Sequence, residues 1–72
     1  MATKQKICKE LGNFIKQQRK SLGMTALELA VLVGTSPNYI FQLEAGRRTP
    51  SLLLFFMIMQ ALQVKNFAVP KI

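Results

Sequence analysis

The sequence predicts an all-α fold, a compact bundle of four to five short helices. Three observations carry that expectation. Apolar residues recur at spacings of three and four along most of the 72 residues, and no segment alternates cleanly as a strand would. Gly23, Gly34 and Gly46 stand where such runs stop. Thr25, Ser36 and Ser51 stand where the next runs begin, as capping residues should.

Residues 1–5 are polar and are expected to be a flexible N-terminus. A first helix is predicted from about Lys6 to Leu22, with Ile7, Leu11, Phe14, Ile15 and Leu22 near one face. Lys9, Lys16, Gln17 and Lys20 fall elsewhere on it. Gly12 inside this helix costs about 1 kcal/mol against alanine. Thr25-x-x-Glu28 is a capping box that opens a second helix, which accounts for Glu28 without chemistry. Leu29, Ala30 and Val33 supply its inner face, and small Ala30 lets another helix cross closely. Gly34 permits a left-handed turn. Ser36 caps a third helix with Pro37 at its first position, where the missing N–H would be unpaired anyway. Ile40 and Leu43 point inward, and Asn38, Tyr39, Phe41 and Gln42 are left for other faces.

Arg47-Arg48-Thr49-Pro50 is a loop, with Thr49 held extended by the proline. Ser51 caps a fourth helix, about Leu52 to Gln63. Residues 65–72 read as a C-terminal tail. The domain therefore spans 6–64, centred on two short helices and a tight turn over residues 25–46.

Ten Lys/Arg against three acidic residues give a net charge of +7. Nucleic acid is the leading partner class for so basic a small domain. The chain has no histidine, no aspartate and one cysteine, Cys8. Cys/His zinc sites, acid–base pairs and nucleophile–histidine arrangements therefore lack material, so no enzyme, cofactor, metal or small-molecule substrate is expected. A lone cysteine fits a reducing compartment. The apolar run Leu52 to Met59 is eight residues long, whereas a membrane span needs about 20. A soluble protein of the bacterial cytoplasm or nucleoid is the simplest expectation.

Residues from about Leu11 to Val64 resemble the phage repressor/Cro-type, or Xre-type, helix-turn-helix family. The carrying residues are Arg19, Leu22-Gly23-Met24-Thr25, Glu28-Leu29-Ala30, Gly34, Ser36, Ile40, Leu43-Glu44, Gly46, Pro50-Ser51 and Ala61-Leu62. The resemblance implies a lambda-repressor-like domain whose third helix, about residues 37–45, enters the major groove of double-stranded DNA. By position, Pro37, Asn38 and Gln42 match the family's base-reading sites, with Tyr39 beside them. Asn and Gln can bind adenine bidentately, whereas Pro37 has no donor to offer. Thr25, Ser36, Arg47, Arg48, Lys20 and Arg19 are the expected phosphate contacts, giving affinity rather than sequence choice. Arg19 and Glu44 also match an ion pair that joins first and third helices in this family. The family often has glutamine where this chain has Ala26 and Pro37. The readout would then fall on Asn38, Tyr39 and Gln42.

The fourth helix is more apolar than one buried face requires. Leu52, Phe55, Ile58, Met59 and Leu62 suffice for a core stripe. That leaves Leu53, Leu54 and Met57, which Phe41 and Phe56 could join, as a surface for a partner. Alternatively Phe67 and Val69 of the tail fold over it. A homodimer through Leu53, Leu54, Met57 and Phe67 would suit a palindromic operator. The function expected is a sequence-specific DNA-binding transcriptional regulator. The alternative is a protein-interaction module, an antitoxin or adaptor, built on the same fold.

Overall fold

A computed structural model describes residues 3–64, so Phe67 and Val69 lie outside the described residues. Four helices follow in order: α1 (Lys4–Ser21), α2 (Ala26–Val33), α3 (Pro37–Glu44) and α4 (Leu52–Ala61). No strand occurs among the described residues. Each helix opens on a hydroxyl cap. Thr3, Thr25, Ser36 and Ser51 accept from the backbone N–H of Lys6, Glu28, Tyr39 and Leu54 at 3.1–3.2 Å. Thr3 explains why α1 begins two residues before its expected start, so Lys4 and Gln5 are helical rather than loose.

The four helices also end alike. The N–H groups of Met24, Thr35, Arg47 and Val64 reach back to the carbonyls of Arg19, Ala30, Gln42 and Met59 at 2.9–3.1 Å. This six-residue closure requires a left-handed residue just before the donor. Gly23, Gly34 and Gly46 fill that place in the first three helices, and Gln63, with φ 59°, fills it in the fourth. Helix α4 therefore stops at Ala61 rather than Gln63.

The core joins Ile15 of α1, Ala26, Leu29, Ala30 and Val33 of α2, Ile40 and Leu43 of α3, and Ile58, Met59 and Leu62 from α4 and its cap. Helix α3 packs against both α1 and α2, and α2 packs against α4. Gly12 lies at the α1–α3 crossing. A Cβ there would collide with the carbonyl oxygen of Leu43 and lie 2.7 Å from that of Glu44. The glycine that looked like a helix defect is what lets two backbones touch.

Several apolar residues sit elsewhere than expected. Ile7, Phe14 and Leu22 are exposed. The inner face of α1 is instead Leu11, Gly12, Ile15 and Arg19, the first of them half-buried. Before Leu11 the helix runs past the end of α3, so Ile7 has no core opposite it. Leu52 is 70 % exposed. Leu54, expected at the surface, is half-buried and packed on the core. Phe56 is half-buried, its ring tilted against Phe55 at 5.9 Å.

Candidate nucleic-acid interface

Gly34, in the left-handed conformation, ends α2, and the caps that open α2 and α3, Thr25 and Ser36, are both exposed. Thr25 and Ser36 each use an oxygen lone pair on a backbone amide and keep the hydroxyl hydrogen for another acceptor. Glu28 returns a carboxylate oxygen to the N–H of Thr25 at 3.1 Å, completing the capping box. Glu28 is thus engaged in holding a helix end.

Ile40 and Leu43 anchor the inner side of α3. Its outer side carries exposed Asn38 and Phe41, with Pro37, Tyr39 and Gln42 half-buried at the flanks. The loop after α3 then folds back on this face. The Arg48 guanidinium lies over the Tyr39 ring, 5.7 Å from its centroid. Its Nε donates to Oε1 of Gln42. Tyr39 packs on the hydrophobic core, so the stack is fixed to the domain.

A shallow concavity of about 560 Å³ is lined by Lys4, Tyr39, Gln42, Arg47, Arg48 and Thr49. Its neighbour, about 700 Å³, is lined by Lys4, Gln5, Cys8, Lys9, Ala45, Gly46, Arg47 and Thr49. The two share Lys4, Arg47 and Thr49, and so form one basic surface. Lys4 and Lys9 were not anticipated there. Only the crossing of α1 over the end of α3 brings them to the loop, and linear spacing carries no sign of it. The approach is close: a Cβ on Gly46 would lie 2.7 Å from Cγ of Lys9, and Sγ of Cys8 is 3.3 Å from Oγ1 of Thr49. Lys20 is exposed near the end of α1 and does not line either concavity.

Arg19 is paired with Glu44. It is 8 % exposed. Nε and Nη2 donate to Oε2 and Oε1 of Glu44 at 2.7 and 3.0 Å, and Nη1 donates to the Met24 carbonyl at 2.9 Å. Its planar fork is therefore committed to α3 and to the α1–α2 turn. The hydrogen bonds to Glu44 raise its pKa above the usual value; burial opposes them, and the charge of Glu44 adds to them. Arg19 is thus the structural link between these elements, with little of its guanidinium left at the surface. Among the described residues, no cluster of His, Cys, Asp or Glu could hold a metal ion, and no helix is long and apolar enough to cross a membrane.

In sequence the chain is similar to known proteins. Residues 15–65 match the family described as helix-turn-helix. The chain belongs to this Xre-type helix-turn-helix family. It is 48 % identical over 48 residues to an uncharacterized HTH-type transcriptional regulator of Methanothermobacter thermautotrophicus, covering 67 % of this chain and 70 % of that one. It is 33 % identical over 58 residues to a second such regulator, y4dJ of Sinorhizobium fredii, covering 81 % and 75 %. In helix-turn-helix terms α2 is the first helix of the motif and α3 the second. The positions read as inward, Leu29, Ala30, Val33, Ile40 and Leu43, are all in the core, and Ala26 joins them.

Proposed function

We propose that this helix-turn-helix protein is a sequence-specific DNA-binding transcriptional regulator, with α3 as the helix that enters the major groove. The observation that carries this is the outer side of α3, where Tyr39 and Gln42 line one concavity with Lys4, Arg47 and Arg48, and Asn38 is exposed. A groove about 12 Å wide admits one helix. Side chains with paired donors and acceptors read base edges there, while cations beside it meet phosphates. In this reading Asn38 and Gln42 contact bases, Tyr39 lies beside them, and Pro37 packs on the groove without donating. Arg47, Lys4, Lys20 and the caps Thr25 and Ser36 contact phosphate oxygens. The names of the two relatives support the same reading, and the site of action would be the nucleoid. No catalytic step or cofactor belongs to it.

Binding to duplex DNA measured against salt tests the proposal. Each phosphate contact should contribute about −0.9 to the log–log slope. Arg47→Ala should weaken all sequences alike and reduce that slope by about one unit. Asn38→Ala should cost about 1–3 kcal/mol on the preferred site and little elsewhere. Absence of binding to any duplex at low salt would overturn the proposal.

A homodimer is part of the proposal, since a twofold pair would set two α3 helices about 34 Å apart on a palindrome. The expected dimer surface changes in detail. Leu53 and Met57 remain at the surface, whereas Leu54 is drawn into the core. Leu27, Val31 and Leu32 of α2 join them, all more than half exposed. The same apolar face favours the second reading, a protein-interaction module such as an antitoxin or adaptor.

A further inference from the structure

The expected roles of Gln42 and Arg48 were separate, one reading adenine and the other holding phosphate. Their geometry joins them. A glutamine side chain has one carbonyl acceptor and an NH2 with two donors. Bidentate recognition of adenine needs both, the NH2 for N7 and the carbonyl for the N6 amino group. Here Oε1 of Gln42 already accepts from Nε of Arg48. Adenine would have to use the second lone pair, and its amino group would then face the N–H groups of the guanidinium. The outward edge of the pair therefore consists of donors, the Gln42 NH2 and the two terminal NH2 groups of Arg48.

Among major-groove edges, only guanine offers two adjacent acceptors, N7 and O6. Cytosine presents a donor, adenine one of each, and thymine one acceptor beside a methyl group. The guanidinium is also held in place. It lies on the Tyr39 ring, which is packed on the core, and Gln42 restrains its near edge. Such restraint lowers the side-chain entropy lost on binding. A lysine could not reproduce it, having neither the planar fork nor the Nε donor. We infer that Arg48 and Gln42 act as one donor-only reader, supported by Tyr39, that selects guanine in the operator and makes Arg48 a specificity residue.

This inference rests on the DNA-binding reading above, and the test separates the two. The full chain is first used to select its preferred duplex from a random-sequence pool. Wild type, Arg48→Ala and Arg48→Lys are then titrated against that duplex and against versions with each base pair replaced, with circular dichroism to verify folding. Wild type should show a guanine whose replacement by adenine weakens binding about ten- to hundredfold. Arg48→Ala should lose that discrimination and shift toward adenine at the same position, because Gln42 regains its free carbonyl. Arg48→Lys should keep the salt slope but weaken the guanine preference, because an ammonium lacks the fork and the Nε bond to Gln42. If Arg48→Ala weakens every duplex by one common factor and leaves base preference intact, Arg48 is a phosphate clamp and the inference is wrong. A wild-type protein that binds no duplex removes the DNA-binding reading itself, and this inference with it.

Discussion

The Arg19–Glu44 pair shows how a single contact can hold a small domain. Both side chains are nearly buried, with exposures of 9 % and 5 %. Two parallel N–H donors meet the two carboxylate oxygens, and the third guanidinium nitrogen is bonded to Met24. One contact set therefore ties α1 to α3 and fixes the turn into α2. Removing one partner from such a pair leaves an uncompensated charge, a loss of about 3–5 kcal/mol. A domain of this size shifts its Tm by about 4–8 °C per kcal/mol. Glu44→Ala should therefore lower the Tm by more than about 10 °C, read by calorimetry. Glu10→Ala, at an exposed position on α1, should stay within about 0.5 kcal/mol of wild type. Equal shifts in the two variants would remove the pair from the account of stability. Arg19→Lys should not restore what is lost, because an ammonium cannot span both oxygens and the Met24 carbonyl.

At the scale of the helices, the α1–α3 crossing decides both the packing and the basic surface. Gly12 is its tightest point. Alanine there gains up to about 1 kcal/mol of helix propensity, but its methyl group meets the backbone carbonyls of Leu43 and Glu44. Backbone cannot yield as a side chain can, so overpacking of about 1–3 kcal/mol or more should win. Gly12→Ala should thus lower the denaturant midpoint, whereas propensity alone would raise it; a raised midpoint would mean the two helices separate at little cost. The crossing also marks the boundary of what the residues reveal in linear order. Thr25, Glu28, Ser36, Pro37 and Ser51 were legible because a cap is a local device spanning four residues. The inward positions of α2 and α3 were legible because the helical repeat is local too. Gly12 was misread as a mere defect because its partner is more than thirty positions away. Lys4 and Lys9 were missed for the same reason. The end of α4 was missed because Gln63 takes the left-handed place that glycine takes in the other three helices. The coupling of Arg48 to Gln42 depends on how one loop folds back, which no repeat or cap encodes.

For the molecule as a whole, the distribution of apolar surface is the property with most consequence. Among the described residues the core cluster has ten buried members, while Leu27, Val31, Leu32, Leu52 and Leu53 remain 58–71 % exposed. Leu32 and Met57 line one depression with Gln60 and Ala61, so the apolar faces of α2 and α4 meet at a seam. The basic surface at Lys4, Arg47 and Arg48 is built from other elements, the start of α1 and the loop after α3. A second copy could therefore cover the seam without competing for those cations. A small domain that buries only about 60 % of its unfolded surface has much to gain from such an assembly. Its stability would then depend on protein concentration. Sedimentation equilibrium of the full chain at micromolar concentration should show a dimer, with a Tm that rises as concentration rises. Leu32→Asp and Leu53→Asp place charge on the seam at exposed positions. They should yield monomers with an unchanged helical spectrum that bind a palindromic duplex no better than two independent half-sites would. A wild-type chain that remains monomeric both alone and on DNA would exclude the dimer and leave the seam to a different protein, favouring the interaction-module reading.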